Sequence, residues 1–248
     1  DGSFLVLETE RFERECVGWA CLAVVAGDLS SGGVVRVEGR VIHPEGWSAV
    51  ASGGNLVVYP MKGGSHNLDL WAVTRRGKGW SSPLALTSGS PYQYNHQPAV
   101  SQDGGKVVFD CGNQPYGAEG TAICEVGVDG SGFRVVLTTA DAPPGLPAKG
   151  ALHHPDYAPD GSIVFEGSWD SERIWRLPAG ARRPVAVTSQ FGNDNSPCLL
   201  PDGRIVSLWL NRAGNRDGVH EIKAMTGDGR LHTTIVTGAN VADAGLGC

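Results

Sequence analysis

Helical signals, basic runs and long apolar runs are scarce or missing in this chain, and each shortage removes a class of protein. The best helical candidate, ETERFERE from Glu8 to Glu15, is charged and has no apolar stripe, so an exposed hairpin or loop is expected there. Lysines and arginines run no further than the pairs Arg75-Arg76 and Arg182-Arg183. The net charge is −6 and the pI is near 5.6. The positive footprint that a phosphate backbone requires is therefore lacking, and no nucleic-acid partner is expected. No apolar run reaches the roughly 18 residues of a membrane-spanning helix, so no membrane insertion is expected. The chain starts at Asp1 with neither an initiator methionine nor the apolar core of a signal peptide, which leads to the expectation of a processed, soluble protein. Three catalytic signatures are missing: the G-x-S-x-G elbow, the H-E-x-x-H metal helix and the Walker glycine loop. The turns SGGN (Ser52 to Asn55) and GGSH (Gly63 to His66) read as hairpin connections.

Six cysteines are too few to build a miniature disulfide fold and enough for three staples in an exported one, so a secreted or periplasmic protein is expected. Cys111 in VVFDC and Cys124 in AICEV sit in successive apolar runs joined by a Gly/Pro-rich loop, where a hairpin brings them within bridging distance. The pairing of Cys16, Cys21, Cys198 and Cys248 stays open. Their spacing is poor for structural zinc.

Glycine and proline are what the chain has in quantity, 36 and 15 residues without a Gly-X-Y period, a composition that favours an all-β globular fold with many tight turns. The turns repeat. QPAVSQDGGKVVFD (Gln97 to Asp110), HPDYAPDGSIVFE (His154 to Glu166) and SPCLLPDGRIVSL (Ser196 to Leu208) share a proline, an Asp-Gly turn and an apolar run, and WSAVASGGNLVVY (Trp47 to Tyr59) follows the same register. Each copy continues into a second apolar run and then into a run ending at Thr87, Thr138, Thr188 or Thr237. One repeat is thus a meander of four short strands, the pattern of a propeller blade. The chain opens in the middle of a repeat, at DGSFLVLE, so its missing first strand is expected from the C-terminal segment. Five four-stranded antiparallel blades follow: residues 240–248 with 1–40, then 41–88, 89–139, 150–189 and 190–238, one β-propeller domain whose ring is closed by the terminal strands. A β-sandwich with coincidental Asp-Gly hairpins is the alternative.

With the repeat written as Pro-x-x-x-Pro-Asp-Gly-x-apolar, followed by an RIWRL-like strand and a DGSG turn, the chain resembles the TolB-like propellers built from PD40 repeats along nearly its whole length. That family includes periplasmic partner-binding proteins, domains gating peptidases and some polysaccharide lyases. More familiar members have six or seven blades. The resemblance implies a fold and leaves function to the site.

The entrances to the innermost strands collect the histidines. Aligned blades place His96, His153 and Asn195 at one position and Gln97, His154 and Ser196 at the next, with His43 and Glu45 ahead of the second blade. Imidazoles converging from neighbouring blades suit a divalent metal ion, so His43, His96, His153 and His154 are the expected metal ligands, and Gln93, Gln97, Trp47 and Asn195 the expected ligand-binding residues. The alternative is that these histidines bond between blades. Resemblance to oligogalacturonate lyases, which bind a metal through several histidines and a glutamine, adds Gln93 and His96 in YQYNHQP; Pro98 stands where a further histidine would complete that pattern. A basic partner for a lyase is not singled out among Arg75, Arg76, Arg173 and Arg212. The expected function is therefore the binding of a glycan or a protein segment, with a divalent metal, at the channel mouth of a monomer. A metal-dependent polysaccharide lyase or hydrolase, and a scaffold for protein partners without metal, are the alternatives. Asp110, Glu166, Asp170 and Glu172 are expected on a solvated rim. Trp71 and Trp175 fall at equivalent third-strand positions, shared with Cys124 and Lys223, and are expected to pack between blades. The proline-stiffened loop from Ala140 to Ala151 is expected to lie over the mouth.

Overall fold

A computed structural model describes residues 5–9, 23–27, 33–51, 53–115, 120–189, 194–210 and 219–240. Nearly every apolar run of the repeat becomes a strand. β1 (Leu5–Thr9), β2 (Ala23–Gly27) and β3 (Gly33–Val34) form an antiparallel three-stranded sheet, and β4 (Arg36–Val37) with β5 (Arg40–Val41) a small hairpin. The second sheet contains β6 (Ala49–Val50), β7 (Leu56–Met61), β8 (Asp69–Arg76) and β10 (Leu84–Ala85), with β9 (Gly79–Trp80) paired to the far end of β8. The third contains β11 (Tyr94–Val100), β12 (Lys106–Gly112), β13 (Ala122–Gly127) and β14 (Arg134–Leu137). The fourth contains β15 (Leu152–Tyr157), β16 (Ile163–Gly167), β17 (Arg173–Leu177) and β18 (Val185–Ala186). The fifth contains β19 (Asp194–Leu199), β20 (Ile205–Leu210), β21 (Val219–Met225) and β22 (Thr233–Asn240).

In the third, fourth and fifth sheets each strand lies beside its sequence neighbour, and in the second both β9 and β10 pair with β8, so the sheets are meanders. A sandwich would need strands that cross from one sheet to the other, and that alternative is set aside. Five sheets in succession match the five expected blades. β22 runs to Asn240, past the expected blade boundary at residue 238. Of residues 240–248, expected to supply the closing strand, all but Asn240 lie outside the described residues, as do Cys16, Cys21 and Cys248 and most of the Glu8 to Glu15 segment. The chain falls into two compact units, residues 1–116 with 124–135 and residues 117–123 with 136–248.

Asp-Gly turns set the register. In the third sheet Ser101 N–H donates to Lys106 O and Gly104 N–H to Ser101 O, and the same pair of bonds joins Ala158 with Ser162 and Leu200 with Arg204. The aspartate accepts the N–H two residues on, Asp103 from Gly105, Asp160 from Ser162 and Asp202 from Arg204, which is the local bond that makes aspartate a turn residue. Glycine follows because the next backbone position is left-handed, at φ 71° in Gly104, 79° in Gly161 and 83° in Gly203.

Second strands are apolar on both faces. Leu56 to Pro60 are all buried in β7 and Ile163 to Gly167 in β16, since a sheet stacked between neighbours has no solvent face. In the first unit Val24, Val35, Ile42, Val57, Tyr59 and Val73 share one core; in the second, Ala158, Val164, Ile174, Leu199, Ile205 and Met225 share another. The threonines ending the repeats also have a structural cause. Buried Thr87 and Thr188 each accept, on Oγ1, an N–H of the third strand, from Leu70 and Ile174, and Thr87 donates to buried Asp69 at 2.6 Å. His66, in the GGSH turn, closes the other side of Asp69 at 2.8 Å. Burial works to raise the Asp69 pKa; the bonds from Thr87 and His66 outweigh it and hold the carboxyl below its ordinary range.

Candidate functional site

A break in regularity marks the start of three innermost strands. Pairing of β11 with β12 runs from His96–Asp110 directly to Ala99–Val108, of β15 with β16 from His153–Glu166 to Asp156–Val164, and of β19 with β20 from Asn195–Leu208 to Cys198–Val206. In each case two residues on the innermost strand face one on its partner, a β-bulge. The first of the two is left-handed, with φ 51° at Gln97, 48° at His154 and 46° at Ser196, and a proline follows every time. Side chains seldom take this conformation, and the residue before proline is further restricted. Of the described non-glycine residues with positive φ, only Glu38 and Leu231 lie outside these bulges.

Carboxylates hold the bulges. His96 Nδ1–H donates to Asp110 Oδ1 at 2.7 Å across the β11–β12 pair, with both side chains buried. Ser196 N–H, at the left-handed residue of the fifth sheet, donates to Glu166 Oε2 at 3.2 Å, a bond from one sheet to the next within the second unit. Leu199 N–H donates to Asp156 Oδ2 at 2.8 Å between the same two sheets. Burial pushes the Asp156 carboxyl up to about 6 against the pull of the Leu199 and Tyr157 N–H groups.

The expectation of a solvated rim is corrected here. Asp110 is fully buried and Glu166 is 8% exposed, because both lie on second strands that are covered on each face. Asp170 is tied to Arg173 at 2.8 Å. The signal was present in the repeat, which writes FDC and FEG at the same place, one acid across from each histidine.

The other candidates differ in burial. His96, Gln97 and His153 are buried, and His154 and Asn195 are half-buried at their bulges. Asn195 Oδ1 is buried without a hydrogen-bond partner among the described residues. Gln93 is exposed, and its N–H donates to Asn113 Oδ1. His43 and Trp47 are half-buried ahead of β6, where the positive φ before the strand falls on a glycine, Gly46; Glu45 N–H is bound by Pro60 O, and its carboxylate by Lys62. Among the described residues no three His, Cys, Asp or Glu side chains are grouped to hold a metal ion.

Two further expectations concern packing. Cys111 and Cys124 form a disulfide, as read from the sequence, and Cys198 is also disulfide-bonded. Trp71 and Trp175 both turn their indole N–H back to the last carbonyl of the second strand, Met61 O and Gly167 O. Trp175 packs edge-on against Trp169 at 5.0 Å beneath the Arg173 guanidinium. The Ala140 to Ala151 loop is pinned at both ends, by Trp169 Nε1–H donating to Thr139 O and by Ser168 Oγ accepting from Ala151 N–H.

No protein-family model matches the sequence, and no curated protein matches it either. Solved structures do match. A putative TolB from Agrobacterium tumefaciens is 19% identical with a TM-score of 0.69, over 95% of this chain and 77% of that one. TolB from Acinetobacter baumannii is 14% identical at 0.66, over 94% and 52%. An oligogalacturonate lyase in complex with manganese is 13% identical at 0.57, over 95% and 62%. At such identities the likeness is one of fold, and the fold is the TolB-like β-propeller fold.

Proposed function

We propose that the chain is an exported recognition module, a five-bladed propeller closed by its terminal strands, that binds a glycan or a protein segment at the entrances to its innermost strands. His96, Gln97, His153, His154 and Asn195 make the contacts, joined by His43, Trp47 and Gln93. One observation carries the reading. The Asp-Gly turns give their left-handed position to glycine, whereas the bulges give theirs to Gln97, His154 and Ser196. Glycine would relieve strain there, and polar side chains that can both donate and accept hydrogen bonds are kept instead. Strain that persists while residue type changes from blade to blade suits a binding surface better than a scaffold requirement. The Cys111–Cys124 disulfide supports an oxidising compartment.

Gln97→Gly and His154→Gly test this. Each is expected to raise unfolding stability by about 0.5–1 kcal/mol, through relief at a positive φ, and to weaken binding on a polysaccharide or peptide array about tenfold. Unchanged binding in both would refute the reading. A divalent ion at His43, His96, His153 and His154 is the second reading; stoichiometric metal in elemental analysis, lost with chelator, would establish it. Turnover of a polysaccharide that stops on chelation would establish the lyase or hydrolase alternative.

A further inference from the structure

Repeats invite comparison at one position. The residue before the bulge histidine or asparagine is Asn95 in the third sheet, Leu152 in the fourth and Asp194 in the fifth, and it pairs with Cys111, Gly167 and Trp209 respectively. Diagonal to this pair on the third strand stand Trp175, which pairs with Phe165, and Lys223, which pairs with Ser207, and Cys124 is the aligned residue of the third sheet. In the third sheet the space is filled by the Cys111–Cys124 disulfide, and Asn95 is satisfied by Leu68 O and Ser90 Oγ. In the fourth, Leu152 is fully buried, and the Trp175 ring fills the place that only glycine at 167 leaves open.

Beside the fifth sheet instead lies an open pocket of about 420 Å³ lined by Val187, Asp194, Trp209, Lys223, Arg230 and His232 among others, with Arg230 and His232 exposed. All of it lies within the second unit. Asp194 is 3% exposed, and Ser207 Oγ donates to its carboxylate at 3.2 Å. Burial raises its pKa against the pull of Ser207, His232 and Lys223. The Lys223 ammonium rests 3.6 Å from the centre of the Trp209 ring. Replacing core by charge costs stability, and a polar pocket with a tryptophan face, where the sister sheets place apolar or disulfide packing, is a candidate ligand site.

The lining selects the ligand. A buried carboxylate calls for donors, and Lys223 and Arg230 keep N–H groups beyond their pairing with Glu221 and Asp228, while His232 Nε2 is bonded to Gly229 O; a cation would meet three basic groups and an anion would meet Asp194 and Asp228. Hydroxyl groups, which donate and accept at once, satisfy both signs without a net charge. We infer that the pocket between the fourth and fifth sheets binds a neutral polyhydroxylated ligand the size of one or two sugar rings, with Asp194 accepting hydroxyl donors and Lys223 donating beside Trp209. This site is separate from the strand entrances.

Ligand-observed saturation-transfer NMR on the whole chain, with D-glucose, D-galactose, N-acetyl-D-glucosamine and cellobiose at millimolar concentration, tests it. Transfer to at least one sugar is expected. Asp194→Asn keeps the shape and weakens that binding about tenfold. Lys223→Met keeps an unbranched side chain over the Trp209 ring, removes the donor and weakens binding about tenfold while the fold is retained, so a misfolded Asp194 variant does not shield the inference. Both variants leave binding at the strand entrances intact. Absence of transfer from all four sugars, or transfer unchanged in both variants, overturns the site.

Discussion

Asp156 shows how far a single carboxylate reaches. It lies just beyond the bulge of β15 and accepts the N–H of Leu199 from the next sheet. Its carboxyl stands at about 6 in the folded protein, above its ordinary value of 3.8, because burial disfavours the charge. Folding therefore binds a proton between these values. The stability this contributes is complete below pH 3.8 and is lost as pH rises through 6. Asp156→Asn, still able to accept from Leu199, is expected to be at least as stable as the parent at pH 7 and to lose less stability between pH 4 and 6, as read from urea midpoints. A steeper loss in the variant would contradict the assignment. The sequence placed Asp156 in the repeat without marking it, since Pro-Asp-Tyr reads as strand entry and says nothing of a backbone amide from a segment 43 residues away.

At the scale of the element, strands and turns were legible because each obeys a local rule written several times. VVY, VVF and IVF lead second strands, and the aspartate of each Asp-Gly turn binds the amide two residues on. The bulges were not legible. His96, His153 and Asn195 align by sequence, but a left-handed Gln97 before proline runs against the preference of both residues and appears only in three dimensions. Asp110 and Glu166 were misread for a related reason: a strand covered on both faces has no polar alternation to reveal which acids are inside. The β12–β13 hairpin gives a direct measurement. Its disulfide spans 13 residues, and the chain-entropy cost of opening it predicts that Cys111→Ala with Cys124→Ala loses about 2–4 kcal/mol in denaturant unfolding. A loss confined to hydrogen-exchange protection of β11 to β14 would fit the same hairpin. No loss at all would mean that the unfolded chain is not constrained by the bridge.

Over the whole molecule, five successive sheets and the TolB-like fold were readable from a repeat of about 50 residues. The candidate site was readable only as a set of aligned positions, because the residues that make it up are brought to equivalent places by blades far apart in sequence. The pocket beside the fifth sheet was not readable: Lys223 was aligned with Trp175, and alignment alone does not show that a lysine in place of a tryptophan borders open space.

Neighbouring sheets of the second unit are also joined by bonds that have a direction. Glu166 and Asp156 of the fourth sheet accept amides of the fifth, from Ser196 and Leu199, and Arg176 of the fourth donates to Gly227 O of the fifth. Such bonds act as addresses, each naming the module that must come next. A gene in which residues 150–189 and 190–238 trade places would encode the same turns, strands and apolar runs. Glu166 and Asp156 would nonetheless lose these amides, and that rearranged chain is expected to be recovered mainly in the insoluble fraction, where a soluble, cooperatively unfolding product would show that the modules carry no order.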